Sequence, residues 1–263
     1  MNIVVLIKQV PDTWSERTLS DSDRTLDRAS SDAVLDEINE RAVEEALKIR
    51  ESGDAGDTSV TILTMGPDRA TDAIRKALSM GADKAVHVND EALHGSCAVT
   101  TAKALAKAIG TVEGVDLVIA GNEATDGRTG SMGPMLGELL GWPSLTHANE
   151  LTATDGGVRI HRITDEGTCD VEAKLPAVVT VNEKINEPRY PSFKGIMAAK
   201  KKPVSTIGIS DLGLDAGEVG LAGSLTVVDG FAPRPPKQGG QKVTDEGDGG
   251  SKIAEFLVGQ KII

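Results

Sequence analysis

VDLVIAGNEATDGRTGS, residues 115–131, decides how the rest of the chain is read. Val115–Ala120 is a short, largely apolar run with β-branched residues, the pattern of a buried strand. It runs into a turn carrying Gly121, Gly127 and Gly130, with the Thr129 and Ser131 hydroxyls at the start of a helix over Ser131–Leu140. Gly141–Trp142–Pro143 stops that helix. Glycines allow close backbone approach and a helix start offers unpaired amides, so a phosphate would fit here. The same glycines would also serve a strand-to-helix turn that holds no ligand.

Working outward, the unit repeats. Asn2–Ile7 reads as a strand, followed by a polar segment, Pro11–Ser31, too rich in Asp, Ser and Thr for a core. From Val34 onward Leu35, Ile38, Ala42, Ala46 and Ile49 recur at helical spacing. Arg41, Glu44, Glu45 and Lys48 fall on the opposite, solvated face, and the helix ends near Gly53. Ser59–Leu63 is a strand closed by Gly66–Pro67, Asp68–Met80 a helix stopped by Gly81, Lys84–Val88 a strand, and Ala98–Ile109 a helix. Alternation of this kind predicts an α/β fold, a doubly wound, mostly parallel sheet with helices on both faces. Ligands of such sheets bind outside the carboxyl ends of the strands, here Leu6–Lys8, Thr64–Gly66 and Gly121–Ser131.

After Pro143 the rhythm changes. Leu145–Leu151, Val158–Ile163 and Asp170–Lys174 read as strands joined by turns at Asp155–Gly157 and Asp165–Gly167, a small antiparallel addition. Ala177–Val181 is a last apolar strand. The expected organisation is one α/β domain over 1–228, then a Pro/Gly-rich linker and C-terminal arm over 229–263. Ser251–Ile263 regains helical spacing through Ile253, Phe256 and Leu257; an arm of this kind either folds back on its own domain or grips a partner.

Composition narrows the function. A formal net charge of −12 and a pI near 4.8 argue against nucleic-acid binding. No apolar stretch is long enough to insert into a membrane, and the chain starts on a strand-like run without a signal-peptide pattern, so a cytoplasmic location is expected. Cys97 and Cys169 lie far apart, with no metal-site spacing. The P-loop, dinucleotide, nucleophile-elbow and zincin motifs are all missing. His87, His94, His147 and His161 lack paired spacing and read as structural. No catalytic residue and no metal ligand is assigned.

One stretch runs against the acidic whole. In VNEKINEPRYPSFKGIMAAKKKP, residues 181–203, six cationic side chains face only Glu183 and Glu187, a local +4. Pro188, Pro191 and Pro203 fix φ and remove amide donors, so the stretch up to Pro191 reads as an extended loop. Phe193, flanked by Ser192, Lys194 and Gly195, resembles an aromatic anchor with a cationic rim, an arrangement suited to docking a protein.

VVLIKQVPD, ERAVEEALKIR, ATDAIRKALSMGADKAVHV, DLVIAGNEATDGRTGSMGP and LPAVVTVNEKINEPRYPSFKGIMAAKKKP, in this order, resemble the β subunits of electron-transfer flavoproteins over nearly the whole chain, most closely the actinobacterial branch. The resemblance implies an electron carrier that is not itself an enzyme, one that buries a structural AMP and pairs with an α subunit holding the redox-active FAD. It implies acceptance of electrons from acyl-CoA dehydrogenases of fatty acid oxidation and delivery to a membrane-bound quinone oxidoreductase. Carried over by position, the nucleotide-contacting residues are Leu6, Lys8, Asp36, Asn39, Met65 and the run Gly121, Asn122, Thr125, Asp126, Gly127, Arg128, Thr129, Gly130 and Ser131, with Thr13 and Ile38 nearest the flavin ring. The recognition loop implied over Val181–Lys202 would use Glu187, Pro188, Arg189, Tyr190, Phe193, Ile196, Met197 and Lys200. The chain departs from the family pattern in having Phe193 where leucine is usual, Cys169 where an acidic or amide residue is usual, Asp36–Glu37–Ile38 in place of Asn-Pro-aromatic, and Gly127–Arg128 in place of an acidic run. Two alternatives stay open: an electron-bifurcating subunit binding a second FAD and NAD, and a stand-alone adenine-nucleotide-binding domain.

Overall fold

The computed structural model describes every residue except Asp155, Gln238 and Gln241. It divides into two compact units, Met1–Asp229 and Gly230–Ile263. The first unit is built on one sheet of β1 (Asn2–Leu6), β4 (Ser59–Met65), β5 (Lys84–Val88), β6 (Leu117–Gly121), β7 (Ser144–Thr154), β8 (Gly157–Thr164), β9 (Gly167–Lys174), β10 (Ala177–Val181) and β11 (Val204–Ile207), in the order β11-β5-β4-β1-β6-β10-β7-β8-β9. From β11 to β7 neighbours run parallel; β8 and β9 extend the sheet antiparallel.

The central strands are buried on both faces, as strands between two helical layers must be. Ile3 and Val5 of β1 face a core shared with Leu117, Ile119 and Val179, covered by α1 (Glu37–Ser52) and α2 (Thr71–Met80). Val4 and Leu6 face the other core, with Val118 and Val178, under α3 (Ala98–Ile109) and α4 (Met132–Leu140). The doubly wound architecture read from the sequence is the one observed. Chain order departs from β1 in both directions, so the strand order reverses between β4 and β6, and a crevice opens there at their carboxyl ends.

Several details differ from the sequence reading. Val34 and Leu35 belong to β3 (Ala33–Leu35), which pairs antiparallel with β2 (Gln9–Pro11) at the root of the polar segment. The helix begins only after Asp36, whose carboxylate caps it. Edge strand β11 was hidden because it is only four residues long and follows Pro203 directly. Just beyond the stretch read as an extended loop, Phe193 opens the short helix α5 (Phe193–Ala199), capped by Ser192. The turn expected at Asp155–Gly157 falls in part outside the described residues. Gly220–Gly223 forms α6, and the second unit holds α7 (Gly249–Gly259), where Asp245 accepts from the Gly249 amide. The expected linker, 229–250, includes Gln238 and Gln241, outside the described residues.

Candidate functional site

A cavity of about 1050 Å³ lies at the carboxyl ends of β1, β4 and β6. Its walls bring together Leu6 and Lys8 from the end of β1, Met65 from β4, Asn39 from α1, and Gly121, Asn122, Gly127, Arg128, Thr129 and Gly130 from the turn after β6. Local geometry requires glycine at the root of that turn. A Cβ at Gly121 would stand 2.7 Å from Asn39 Nδ2 and 3.0 Å from Ile38 Cγ2, because the first turn of α1 presses directly on the end of β6. At Gly127 and Gly130 an added Cβ would meet nothing within 4 Å, and Gly130 has φ +62°. Ser131 precedes α4 without a side-chain bond to its first amides. That helix start is free to face an anion.

Asp36 organises the junction from beneath. It is fully buried; one carboxylate oxygen accepts from the Ile38 and Asn39 amides at 3.0 and 3.3 Å. The other accepts from the Thr125 amide at 2.7 Å and the Thr125 hydroxyl at 2.8 Å. One side chain thus caps α1 and ties the glycine-rich turn to it.

Asp126 points inward as well. Its side chain is wholly buried and accepts from Lys8 Nζ and Arg28 Nη2, each at 2.8 Å. Burial alone would push this carboxyl up, but the Lys8 charge and the hydrogen bonds from Lys8 and Arg28 outweigh it and hold the carboxyl below its usual value. Crowding by protein pulls the Lys8 ammonium below its ordinary range despite the attraction of Asp126, although part of the side chain still faces the cavity. Arg69 closes the near rim by donating to the Arg28 and Ser31 carbonyls at 2.6 and 3.2 Å, which seats the 12–32 segment.

Not every residue carried over by position reaches the cavity. Asp36, Ile38, Thr125 and Asp126 lie behind its wall as supports, and Thr13 sits in an exposed turn beside Trp14. Ser131 is placed at the foot of α4. Conversely, Gln9, Arg28 and Arg69 line the cavity and were not foreseen. Arg28 lies in the polar segment, and only its basic character hinted at an anion nearby. His87 is buried against the Gly66 carbonyl at 2.9 Å, a structural contact.

The second surface is formed by 181–203. Tyr190 is 97% and Phe193 80% exposed, with Ile196 and Met197 nearly half exposed beside them, forming an apolar ridge. Lys184, Lys194, Lys200 and Lys201 are exposed around it, as is Glu187, while Pro188 is half-buried. Lys202 instead turns in and donates to the Leu78 and Ala82 carbonyls. Glu44 and Glu45 of α1 are buried, not solvated as their helix face suggested. Glu44 receives the Arg189 guanidinium, and Glu45 receives Lys48 and Asn186. The polar face of α1 is covered by a charged segment that arrives from far along the chain, which helical periodicity alone does not reveal.

Comparison with known proteins gives the same picture from another direction. The family description "Electron transfer flavoprotein domain" matches residues 23–212. The electron transfer flavoprotein subunit beta of Mycobacterium leprae is 61% identical over 264 residues, covering 100% of this chain and 99% of that protein. The corresponding Mycobacterium tuberculosis protein is 60% identical with the same coverage. The caffeyl-CoA reductase-Etf complex subunit CarD of Acetobacterium woodii is 36% identical over 245 residues, covering 93% of this chain and 92% of its own length. A family match over most of the chain and full-length similarity of this order decide it: the chain belongs to the electron transfer flavoprotein β subunits, carriers of electrons rather than enzymes.

Proposed function

We propose that this chain pairs with an α subunit, buries AMP in the cavity at the ends of β1, β4 and β6, and docks acyl-CoA dehydrogenases through the ridge at Tyr190–Met197. FAD, held chiefly by the α subunit, supplies the electron-accepting and electron-donating chemistry, and electrons pass on to a membrane-bound quinone oxidoreductase. The chain's own part is binding and positioning. The observation that carries the nucleotide reading is the cradle at Gly127 and Gly130, open where side chains would stand, in front of the uncapped start of α4. Those amides and the Arg128 guanidinium at the cavity wall suit a phosphate. The Asn39 and Asn122 amides suit the hydrogen-bonding edge of a base or a sugar hydroxyl, and the cavity, about 1050 Å³, has room for a nucleotide. Asp36 and Asp126 hold the turn in shape without touching the ligand, and Thr13 and Ile38 are, by the family resemblance alone, the residues that would lie nearest the flavin.

The test is to co-express the chain with its α subunit, extract the bound small molecules and count them. One FAD and one AMP per heterodimer is the expected result. Two FAD would replace the AMP reading with the electron-bifurcating one, and a stable, flavin-free single chain would overturn both.

A further inference from the structure

The apolar ridge has an unusual foundation: its two flanks are fastened to two different helices, and one fastening uses Arg189, a cation that the family resemblance assigned to docking. On one flank the Arg189 fork donates to Glu44 (Nε to Oε2 2.8 Å, Nη2 to Oε1 2.9 Å) and to Glu51 (Nη1 to Oε1 2.6 Å, Nη2 to Oε2 2.9 Å). Its own amide donates to Glu44 at 3.1 Å, and Asn186 Nδ2 donates to the Arg41 carbonyl at 3.0 Å. Glu44 and Glu51 are two turns apart on one face of α1. On the other flank α2 and α5 bind each other's carboxyl ends. Arg75 of α2 donates to the Ala199 and Lys202 carbonyls at 2.7 and 3.2 Å, while Lys202, just beyond α5, donates back to the Leu78 and Ala82 carbonyls. Cations at helix carboxyl ends complement the unpaired carbonyls and the dipole there. Gly195 completes the seat: a Cβ there would stand 2.5 Å from the Ser79 carbonyl oxygen, so α5 lies backbone-close on α2.

We infer that Arg189 is a positioning residue, not a partner contact: bound through Glu44 and Glu51 of α1, it holds the Tyr190–Met197 ridge in its docking-competent shape. This rests on the proposed docking role of the ridge. Four of the five N–H groups of its fork are bonded to Glu44 and Glu51, and its guanidinium is held above its usual pKa by hydrogen bonds to Glu51 and then Glu44. A partner carboxylate could take both prongs of the fork only by displacing Glu44 or Glu51. Rigidity matters here because Tyr190 and Phe193 have almost nothing packed over them. A segment with so little cover keeps one conformation only if its ends are tied, and apparent affinity falls in proportion to the fraction of molecules in the competent state.

The test is a double-mutant cycle on the intact heterodimer, with reduction by the acyl-CoA dehydrogenase as readout and Phe193→Ala as reference. Arg189→Ala is expected to raise KM for the dehydrogenase about tenfold while kcat holds, the effect of a competent fraction cut to about a tenth. Glu51→Ala should raise it in the same direction, and the double variant should be no worse than Arg189→Ala alone. Amide hydrogen exchange over 183–192 should quicken in both single variants. An unchanged KM in Glu51→Ala, or effects that multiply, would overturn the inference and make Arg189 a direct contact. If Arg189→Ala does not assemble, Glu51→Ala and Glu51→Gln, at a half-exposed side chain, decide by KM and exchange together. If Phe193→Ala leaves KM unchanged, it is the docking role that fails, and exchange over 183–192 still decides whether Arg189 ties the segment.

Discussion

Asp126 serves two cations from one buried carboxylate, and both come from segments that must meet for the cavity to exist: Lys8 from the end of β1, Arg28 from the 12–32 segment. Asp126→Asn would leave both cations underpaired. Lys8 and Arg28 keep 38% and 41% of their side-chain surface exposed, so water screens part of the loss. The expected destabilisation is about 1–2 kcal/mol, less than the roughly 3–5 kcal/mol of a wholly buried pair. Urea unfolding of the heterodimer measures it, and nucleotide retention should fall with it. Because the Asp126 carboxyl is held below its usual value, its stabilising contribution is complete above the ordinary carboxylate range. That contribution is lost only as pH falls through the lower folded value, so the stability gap between wild type and Asp126→Asn should close in acid. Legibility ends at this scale. Gly121 and Lys8 could be placed from the strand ends, but Asp36 and Asp126 turn away from the cavity, and no spacing in the sequence distinguishes a residue that lines a site from one that braces it.

Helix α4 shows how an element is seated by what its residues lack. Gly133 lies against β10, where an added Cβ would fall 2.3 Å from Thr180 Cγ2; at Gly137 one would fall 2.8 Å from Ser144 Cβ in β7. Gly133→Ala should therefore force α4 off the sheet at a cost of about 1–3 kcal/mol. Gly217→Ala, where nothing lies within 4 Å, should change unfolding by no more than about 0.5 kcal/mol. Thermal unfolding of the two variants side by side checks the contrast. Elements of this kind were the most legible part of the chain. β10 and α3 fall at the positions their apolar runs predict, since central strands and long amphipathic helices carry their own signal. β2, β3 and β11 were not legible, being three or four residues long and defined by partners distant in sequence. The helical start of α5 was masked by the two prolines just before it.

At the scale of the whole molecule, charge is divided between surface and ridge. Around Tyr190 and Phe193 four exposed lysines, Lys184, Lys194, Lys200 and Lys201, face two exposed glutamates, Glu183 and Glu187, on a chain of net −12. On the proposed docking role, a partner recognised there would present acidic groups, and attraction at such a rim acts mainly on association. Raising ionic strength from about 0.01 to 0.15 M shortens the Debye length from roughly 30 to 8 Å. The second-order rate of reduction by the dehydrogenase should fall accordingly, with little change at saturation; a salt-independent rate would leave the lysines without that role. The two surfaces are also less separate than their places in the sequence suggest. Gly121 and Val181, the last residues of β6 and β10, are paired across the sheet, so the cavity turn and the ridge leave the fold from adjoining strand ends. Helix α1 runs past both, a rod of 16 residues and about 24 Å. Its first turn is bolted to the cavity turn through Asp36 and Thr125, and its flank carries Glu44 and Glu51 under Arg189. On the proposed docking role the rod would work as a common axle: whatever seats it at the cavity end would also set the angle at which the ridge is offered to an incoming protein.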